Sequence, residues 1–288
     1  QRNEPPGGGG DDGNGAVVSP LEVPRRCSRY LHDPSDVAAF VIDDFLNAAE
    51  CRRLIRLAGE LSGAGFRYVT EAAHTDDEGV AHVVKLREAN RHKLSVFEHA
   101  PTSDELWRKM EPAILPRVRS FAERTGCGPP LGLNPRLRVL RYDAADRDVF
   151  EPHFDATTRV GDMTSLLTVL VYLNDGGGGD FDGGETCYLD SRISTRGGDV
   201  DAAAKIAPAA GRVVVFEHDL FHSSAPLKFG TKYVLRTDVL FGVDAQRNGG
   251  VGRPRGGSVQ ADGSGDDAVV DACNTLLEVC RWLSLPEG

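Results

Sequence analysis

From Leu137 to Phe241 the chain reads as short extended segments separated by glycine and aspartate turns, and this stretch constrains the fold most. Leu166 to Leu173 is an unbroken aliphatic and β-branched run, the composition of a strand buried on both faces, and Gly211 to Phe216 repeats it. Leu137, Val139 and Arg141 alternate against Arg138, Leu140 and Tyr142, as on a strand with two unlike faces. Between these segments lie Glu151-Pro152-His153-Phe154-Asp155 and Phe221-His222-Ser223-Ser224-Ala225-Pro226. Residues two apart on a strand project to one side, so His153 and Asp155 aim an imidazole and a carboxylate at one point. His222 then supplies a third ligand on one face of an octahedron and leaves the other positions open. Structural zinc would want four protein ligands, often thiolates, and no cysteine stands beside His153 or His222.

In order along the chain come Tyr142, Glu-Pro-His-Phe-Asp at 151–155, Leu170-Val171-Tyr172-Leu173-Asn174, and Gly183-Gly184-Glu185-Thr186. His222 follows, with Pro226, Gly230 and Lys232 after it. A lone His-x-Asp is common, but this ordered set resembles the Fe(II)/2-oxoglutarate-dependent dioxygenases, and within them the prolyl 4-hydroxylase branch. The resemblance implies an α+β fold, mainly β in its core: a double-stranded β-helix (jelly-roll or cupin-like) with supporting N-terminal helices. It implies Fe(II) on His153, Asp155 and His222, with 2-oxoglutarate as cosubstrate, O2, and ascorbate among the accompanying cofactors. Lys232 stands ten residues after His222, where the prolyl hydroxylases place the cation for the far carboxylate of 2-oxoglutarate. Arg236, four further along and on the same strand face, competes for that role or supports a carboxylate ion pair. Arginine grips a carboxylate as a fork, lysine as a point charge. Tyr142 resembles the family tyrosine that donates to the same carboxylate, and Thr168 and Tyr172 match positions lining the cosubstrate pocket. An intact His-x-Asp favours hydroxylation over the halogenation of relatives that lack the carboxylate.

The rest of the chain is expected to serve this core. Residues 1–24, rich in glycine and aspartate, read as a disordered tail, and 25–245 as the catalytic domain. Within it, 25–130 is helical support and 131–245 the β core. Val37–Phe45 reads as a strand, and Asn47 with Glu50 has capping-box spacing for a helix carrying Cys51, Leu54, Ala58 and Leu61. Ser103 is the expected cap of a second helix through Leu106 and Met110, broken near Pro116. In the polar region 66–97 the resemblance puts strands and a loop beside the site, where Arg87, Asn90 and Arg91 are candidate substrate contacts, although a solvated charged loop is the favoured reading of each. His74, His82, His92 and His99 have no metal spacing to one another, and His218 lacks the downstream Pro, Gly and Lys spacing of His222. Ser191–Ala210 reads as a surface loop, 246–266 as a glycine-rich linker, and 267–288 as a C-terminal amphipathic helix.

A formal net charge of -10 argues against a protein that coats nucleic-acid phosphates, and no apolar run is long enough to span a bilayer. The six cysteines form no Cys-x-x-Cys pair. The chain opens on Gln1 without a methionine and reads as trimmed, which leaves the compartment open, as the oligomeric state is. The expected substrate is a prolyl residue in a peptide or protein, on resemblance alone. A free amino acid or other small molecule, a non-catalytic oxygenase-like binding module and a cupin-like zinc hydrolase are the alternatives. The last two do not account for Tyr142, Gly230 and Lys232 together.

Overall fold

A computed structural model describes residues 16–29, 38–63, 65–68, 71–75, 81–85, 92–191 and 202–242. The N-terminal part holds β1 (Val17–Pro20), β2 (Ala39–Asp43), α1 (Ala48–Leu61), β3 (Arg67–Tyr68), β4 (Glu71–Thr75), β5 (Ala81–Lys85) and β6 (Lys93–Glu98). Two helices follow, α2 (Ala100–Ile114) and α3 (Arg119–Thr125). Then come β7 (Pro130–Leu133), β8 (Arg136–Asp143), β9 (Phe150–His153), β10 (Arg159–Val160), β11 (Met163–Tyr172), β12 (Phe181–Gly183) and β13 (Thr186–Tyr188). The last strands are β14 (Ala204–Ile206), β15 (Val213–Glu217), β16 (His222–Ser224) and β17 (Leu227–Gly242).

An eleven-stranded sheet runs β1-β2-β15-β11-β17-β8-β6-β3, with β7, β10 and β12 attached beside it. A four-stranded sheet, β14-β13-β16-β9, faces it, and the described pairings are antiparallel. This is a double-stranded β-helix with helices packed on its outer side. The pleat decides which residue goes where. Leu167, Val169 and Val171 of β11 join a core shared with Leu54 of α1 and Met110 of α2. Leu170 and Tyr172, one residue out of phase, join a second core shared with Tyr188 of the smaller sheet. Each fully buried aliphatic side chain there contributes about 1.5–3 kcal/mol relative to exposure. The uninterrupted apolar run of β11 is thus the signature of a strand with protein on both sides.

Asn47 caps α1 as its spacing predicts: its side chain accepts from Ala49 and Glu50, and Glu50 reaches back to the Asn47 N–H. Three expectations need correction. The tail assigned to 1–24 includes β1, which pairs Val18 with Ile42 of β2; a strand whose partner lies so far along the chain has no local signal. The second helix starts at Ala100, before Ser103, because the His99 ring accepts from Thr102 N–H and caps it. The loop expected over Ser191–Ala210 includes β14, which pairs Lys205 with Cys187 of β13. The linker and C-terminal helix expected at 246–288, and Arg87, Asn90 and Arg91, lie outside the described residues.

Gly230 permits the geometry at the start of β17. It sits at φ +82°, and a Cβ there would lie 2.1 Å from the Asp180 carbonyl oxygen. Only glycine relieves both constraints, so β17 can cross β12 closely before running on between β11 and β8. At the far end of β15, Glu217 is buried and binds the Ala38 N–H at 2.6 Å and Arg124 of α3 at 2.7 Å. Burial pushes its carboxyl up to about 7, against the opposing pull of Arg124.

Candidate active site

The smaller sheet brings the two histidines side by side. β9 and β16 pair antiparallel with His153 opposite His222, and the rings lie 4.4 Å apart between centroids. Each Nδ1 is 2.8 Å from the carbonyl oxygen two residues earlier, Glu151 for His153 and Leu220 for His222. A carbonyl only accepts, so both rings carry their proton on Nδ1 and turn an Nε2 lone pair inward. Asp155, just past β9, completes the cluster. His153 Nε2 is 3.5 Å from Asp155 Oδ1, and His222 Nε2 is 3.7 Å from Asp155 Oδ2. One ligand atom from each of the three lies within 4.8 Å of the others.

Electrostatics keep these groups in the forms that bind a cation. Burial, with His153 beside it, pushes the His222 imidazolium down to about 3, so this ring is neutral at pH 7. Burial alone would raise Asp155, but the Arg236 guanidinium beside it outweighs this and holds the carboxyl well below its usual range. His153 Nε2 is buried without a hydrogen-bond partner. An orphaned acceptor beside a neutral imidazole and a carboxylate fits a divalent metal in type and in protonation state. Thr168 donates to Asp155 Oδ2, Arg236 Nη2 lies 2.8 Å from Oδ1, and the Asp155 N–H is held by the His218 carbonyl.

The cavity over this cluster extends to a buried cation. Tyr142, Thr186, Ser224 and Lys232 line it together with His153, Asp155, His222 and Arg236. Lys232 is 2 % exposed, and its ammonium donates to the Gly184 carbonyl at 2.5 Å and the Ser224 hydroxyl at 2.9 Å. It stands 5.1 Å from the Tyr142 ring centroid and 5.6 Å from that of Tyr172. Burial lowers the Lys232 ammonium to about 7. Gly184 sits at φ +72°, where a Cβ would come 3.0 Å from Lys232 Cδ, so the glycine makes room for the lysine stem.

Comparison with known proteins bears on this cavity. Residues 137–237 match the family described as the 2OG-Fe(II) oxygenase superfamily, where 2OG is 2-oxoglutarate. These residues form a 2OG-Fe(II) oxygenase domain. The matched residues support a dioxygenase, and the matched family implies Fe(II), 2-oxoglutarate and O2. Comparison with curated proteins finds no match. Among solved structures, the chain is similar to a viral collagen prolyl hydroxylase from Paramecium bursaria Chlorella virus-1 in its 2OG complex. The identity is 18 %, the TM-score 0.41, and the match covers 70 % of this chain and 96 % of that one. A Pseudomonas putida prolyl-4-hydroxylase matches at 14 % identity and TM-score 0.43, over 72 % of this chain and 94 % of that one. A Trichoplax adhaerens prolyl hydroxylase, in complex with a hypoxia inducible factor oxygen degradation domain peptide fragment, matches at 18 % identity and TM-score 0.43. That match covers 70 % of this chain and 83 % of that one.

In the oxygenase domain, six of the eight residues singled out from the sequence line one cavity: Tyr142, His153, Asp155, His222, Lys232 and Arg236. The other two flank it. Thr168 is bonded to Asp155, at the histidine end, and the Tyr172 hydroxyl shares a 2.6 Å hydrogen bond with Thr186 Oγ1. Thr186 and Ser224 also line the cavity, Ser224 directly against Lys232, although the sequence motifs containing them gave neither a role. Ser224 was accessible by strand parity, two residues from His222. Phe150 was not: its ring stacks on His153 at 3.9 Å between centroids, and His92 in turn lies 4.5 Å from Phe150. His218 turns to Asp238, 3.6 Å from its Oδ1, outside the cluster. A second acidic group, Asp143, Asp146 and Asp148, is filled by Lys93 at 2.5, 2.6 and 3.6 Å and reads as an ion-pair knot.

Proposed function

We propose that His153, Asp155 and His222 hold Fe(II), that Lys232 with Tyr142 anchors the far carboxylate of 2-oxoglutarate, and that the enzyme hydroxylates a prolyl residue in a peptide or protein. When bound, the ferrous ion would couple oxidative decarboxylation of 2-oxoglutarate, to succinate and carbon dioxide, with oxygen insertion into substrate. One observation carries the reading. Two Nε2 lone pairs and a carboxylate face one end of a buried cavity whose other end holds a desolvated lysine. An extended dianion with one carboxylate near the metal and one near the lysine matches that polarity. Lys232 suits the anchor better than Arg236, whose charge is committed to Asp155 at 2.8 Å and lies 3.6 Å from Asp238.

The protein's own groups have distinct tasks. The Glu151 and Leu220 carbonyls fix the imidazole tautomers, and such outer hydrogen bonds both orient and strengthen metal ligands. Tyr142, Leu140, Leu170 and Val234 line the cavity wall and limit water beside the cosubstrate. The peptidyl-proline assignment rests on the sequence motifs, above all Lys232 ten residues after His222. The test starts anaerobically, with Fe(II) and then 2-oxoglutarate added to apoprotein. A visible charge-transfer band is expected, absent in His153→Ala. Proline-containing peptides and free proline are then compared by succinate formation and by a mass gain of one oxygen. No band in protein shown to bind iron removes the assignment of these residues, and turnover confined to free amino acids removes the peptide substrate.

A further inference from the structure

Asp155 is gripped from both sides by groups of unequal character. Arg236 puts a full positive charge on Oδ1 at 2.8 Å, whereas Thr168 offers only a neutral hydroxyl to Oδ2. Arg236 is itself 5 % exposed and lies 3.6 Å from Asp238 Oδ1. Asp238 is held in turn by Arg138 at 3.3 Å, and Arg138 is the cross-strand neighbour of Arg236. The guanidinium thus sits between two buried carboxylates, Asp238 on its own strand and Asp155 just past β9. Four residues separate it from Lys232, so along β17 their Cα atoms stand roughly 13 Å apart. Arg236 belongs to the histidine end of the cavity.

We infer that Arg236 is a positioning residue: it occupies Asp155 Oδ1 so that the carboxylate serves the metal through one oxygen and does not chelate it. A carboxylate flanked by two histidines could otherwise close on a divalent ion with both oxygens, as carboxylates do on larger cations. That would take a position that a bidentate oxo acid needs. A cation at 2.8 Å makes Oδ1 the poorer donor and leaves Oδ2, with its uncharged hydroxyl partner, as the ligand. The inference rests on the iron reading above and extends it to how the open positions are kept open.

Co(II) serves as the probe, because its visible bands report coordination number without turnover. Wild type, Arg236→Gln, Arg236→Lys and Thr168→Val are each loaded with Co(II), then titrated with 2-oxoglutarate. Arg236→Gln is expected to change the Co(II) bands before any cosubstrate is added. It should bind Co(II) no more weakly than wild type, and bind 2-oxoglutarate about tenfold more weakly or worse, the low end of outer-contact effects at metal sites. Arg236→Lys, which restores a cation, returns the bands toward wild type, and Thr168→Val leaves them unchanged. Arg138 still pairs Asp238 in these proteins, and Arg236→Met reads the same quantities should the Gln variant misfold. Unchanged Co(II) bands in Arg236→Gln overturn the inference even where 2-oxoglutarate affinity falls, since Arg236 would then be a direct cosubstrate ligand. Weakened Co(II) binding with unchanged bands also overturns it, as the mark of a merely structural residue. If wild type binds no Co(II), the iron reading itself fails instead.

Discussion

The Lys232 ammonium gives the proposed anchor a measurable pH signature. It is buried between Tyr142 and Tyr172 with two neutral acceptors, and desolvation lowers it to about 7. Cys187 and Glu185 only partly oppose that shift. A 2-oxoglutarate carboxylate placed beside Lys232 stabilises the charged form, so above pH 7 binding must draw in a proton. The charged fraction of the free protein falls from about one half at pH 7 to about one hundredth at pH 9, so affinity drops roughly fiftyfold, or about 2.3 kcal/mol. Cosubstrate carboxylates are ionised throughout this range and contribute nothing to it. The assay is calorimetric titration of 2-oxoglutarate into protein loaded with redox-inert Mn(II), at pH 7, 8 and 9, in two buffers of different ionisation enthalpy. Proton uptake rising toward one per cosubstrate is expected. Lys232→Arg, charged at every pH, supplies the control and should show a flat profile, with any residual slope belonging to the metal. A wild-type affinity that stays flat from pH 7 to pH 9 would refute the argument that Lys232 is both desolvated and the anchor.

The same lysine makes the unloaded fold depend on pH. Its folded value of about 7 lies below the ordinary 10.5, so between these the unfolded chain holds more protons. This group's contribution to stability therefore rises with pH across that window, visible as a rising urea midpoint that Lys232→Met removes. His222→Ala should abolish the Fe(II)–2-oxoglutarate charge-transfer band while His218→Ala, facing Asp238, keeps it; loss in both would undo the choice of His222. Gly230→Ala forces a Cβ to within 2.1 Å of the Asp180 carbonyl at φ +82° and should cost about 2–5 kcal/mol in chemical denaturation. Arg124→Ala strips Glu217 of its ion-pair partner, and because that carboxyl already lies near 7 it protonates instead of standing charged, so the loss at neutral pH should be about 1–2 kcal/mol, with Arg124→Lys recovering part.

The architecture was largely legible because its strongest signals are local. A run such as Leu166–Leu173 reports two buried faces by itself, and Asn47 with Glu50 reports a helix start by itself. What stayed hidden depends on partners remote in sequence. Val17–Pro20 has only two aliphatic side chains besides its proline and becomes β1 because β2 lies alongside. Ala204–Ile206 becomes β14 because β13 lacks a second neighbour without it. The His99 cap was missed for a different reason: imidazole is an unusual acceptor for a helix N-terminus, and Ser103 a few residues on looks the better cap.

At the site, strand parity placed Lys232 with Arg236, because a period of two is strict within one strand, whereas Asp155 lies just past β9 and is held there by the His218 carbonyl. Parity says nothing about depth along a face, and there Lys232 and Arg236 diverge. One ends among backbone and hydroxyl oxygens, the other between Asp155 and Asp238. Chemistry alone favours an arginine fork for a carboxylate, and the structure shows Nη2 of that arginine already paired with carboxylates of the protein itself. The division follows from the two side chains. A guanidinium that stays charged suits a permanent partner such as Asp155, and an ammonium desolvated to about 7 suits a partner that comes and goes. Exchanging the two in a double variant that combines Lys232→Arg with Arg236→Lys would keep the net charge while reversing that assignment. Calorimetry on this protein should show 2-oxoglutarate binding without the proton uptake of the wild type. Its Co(II) bands should match those of the single Arg236→Lys variant, because the group holding Asp155 is then the same in both. Proton uptake that persists in the exchanged protein would place the titrating group elsewhere than at position 232.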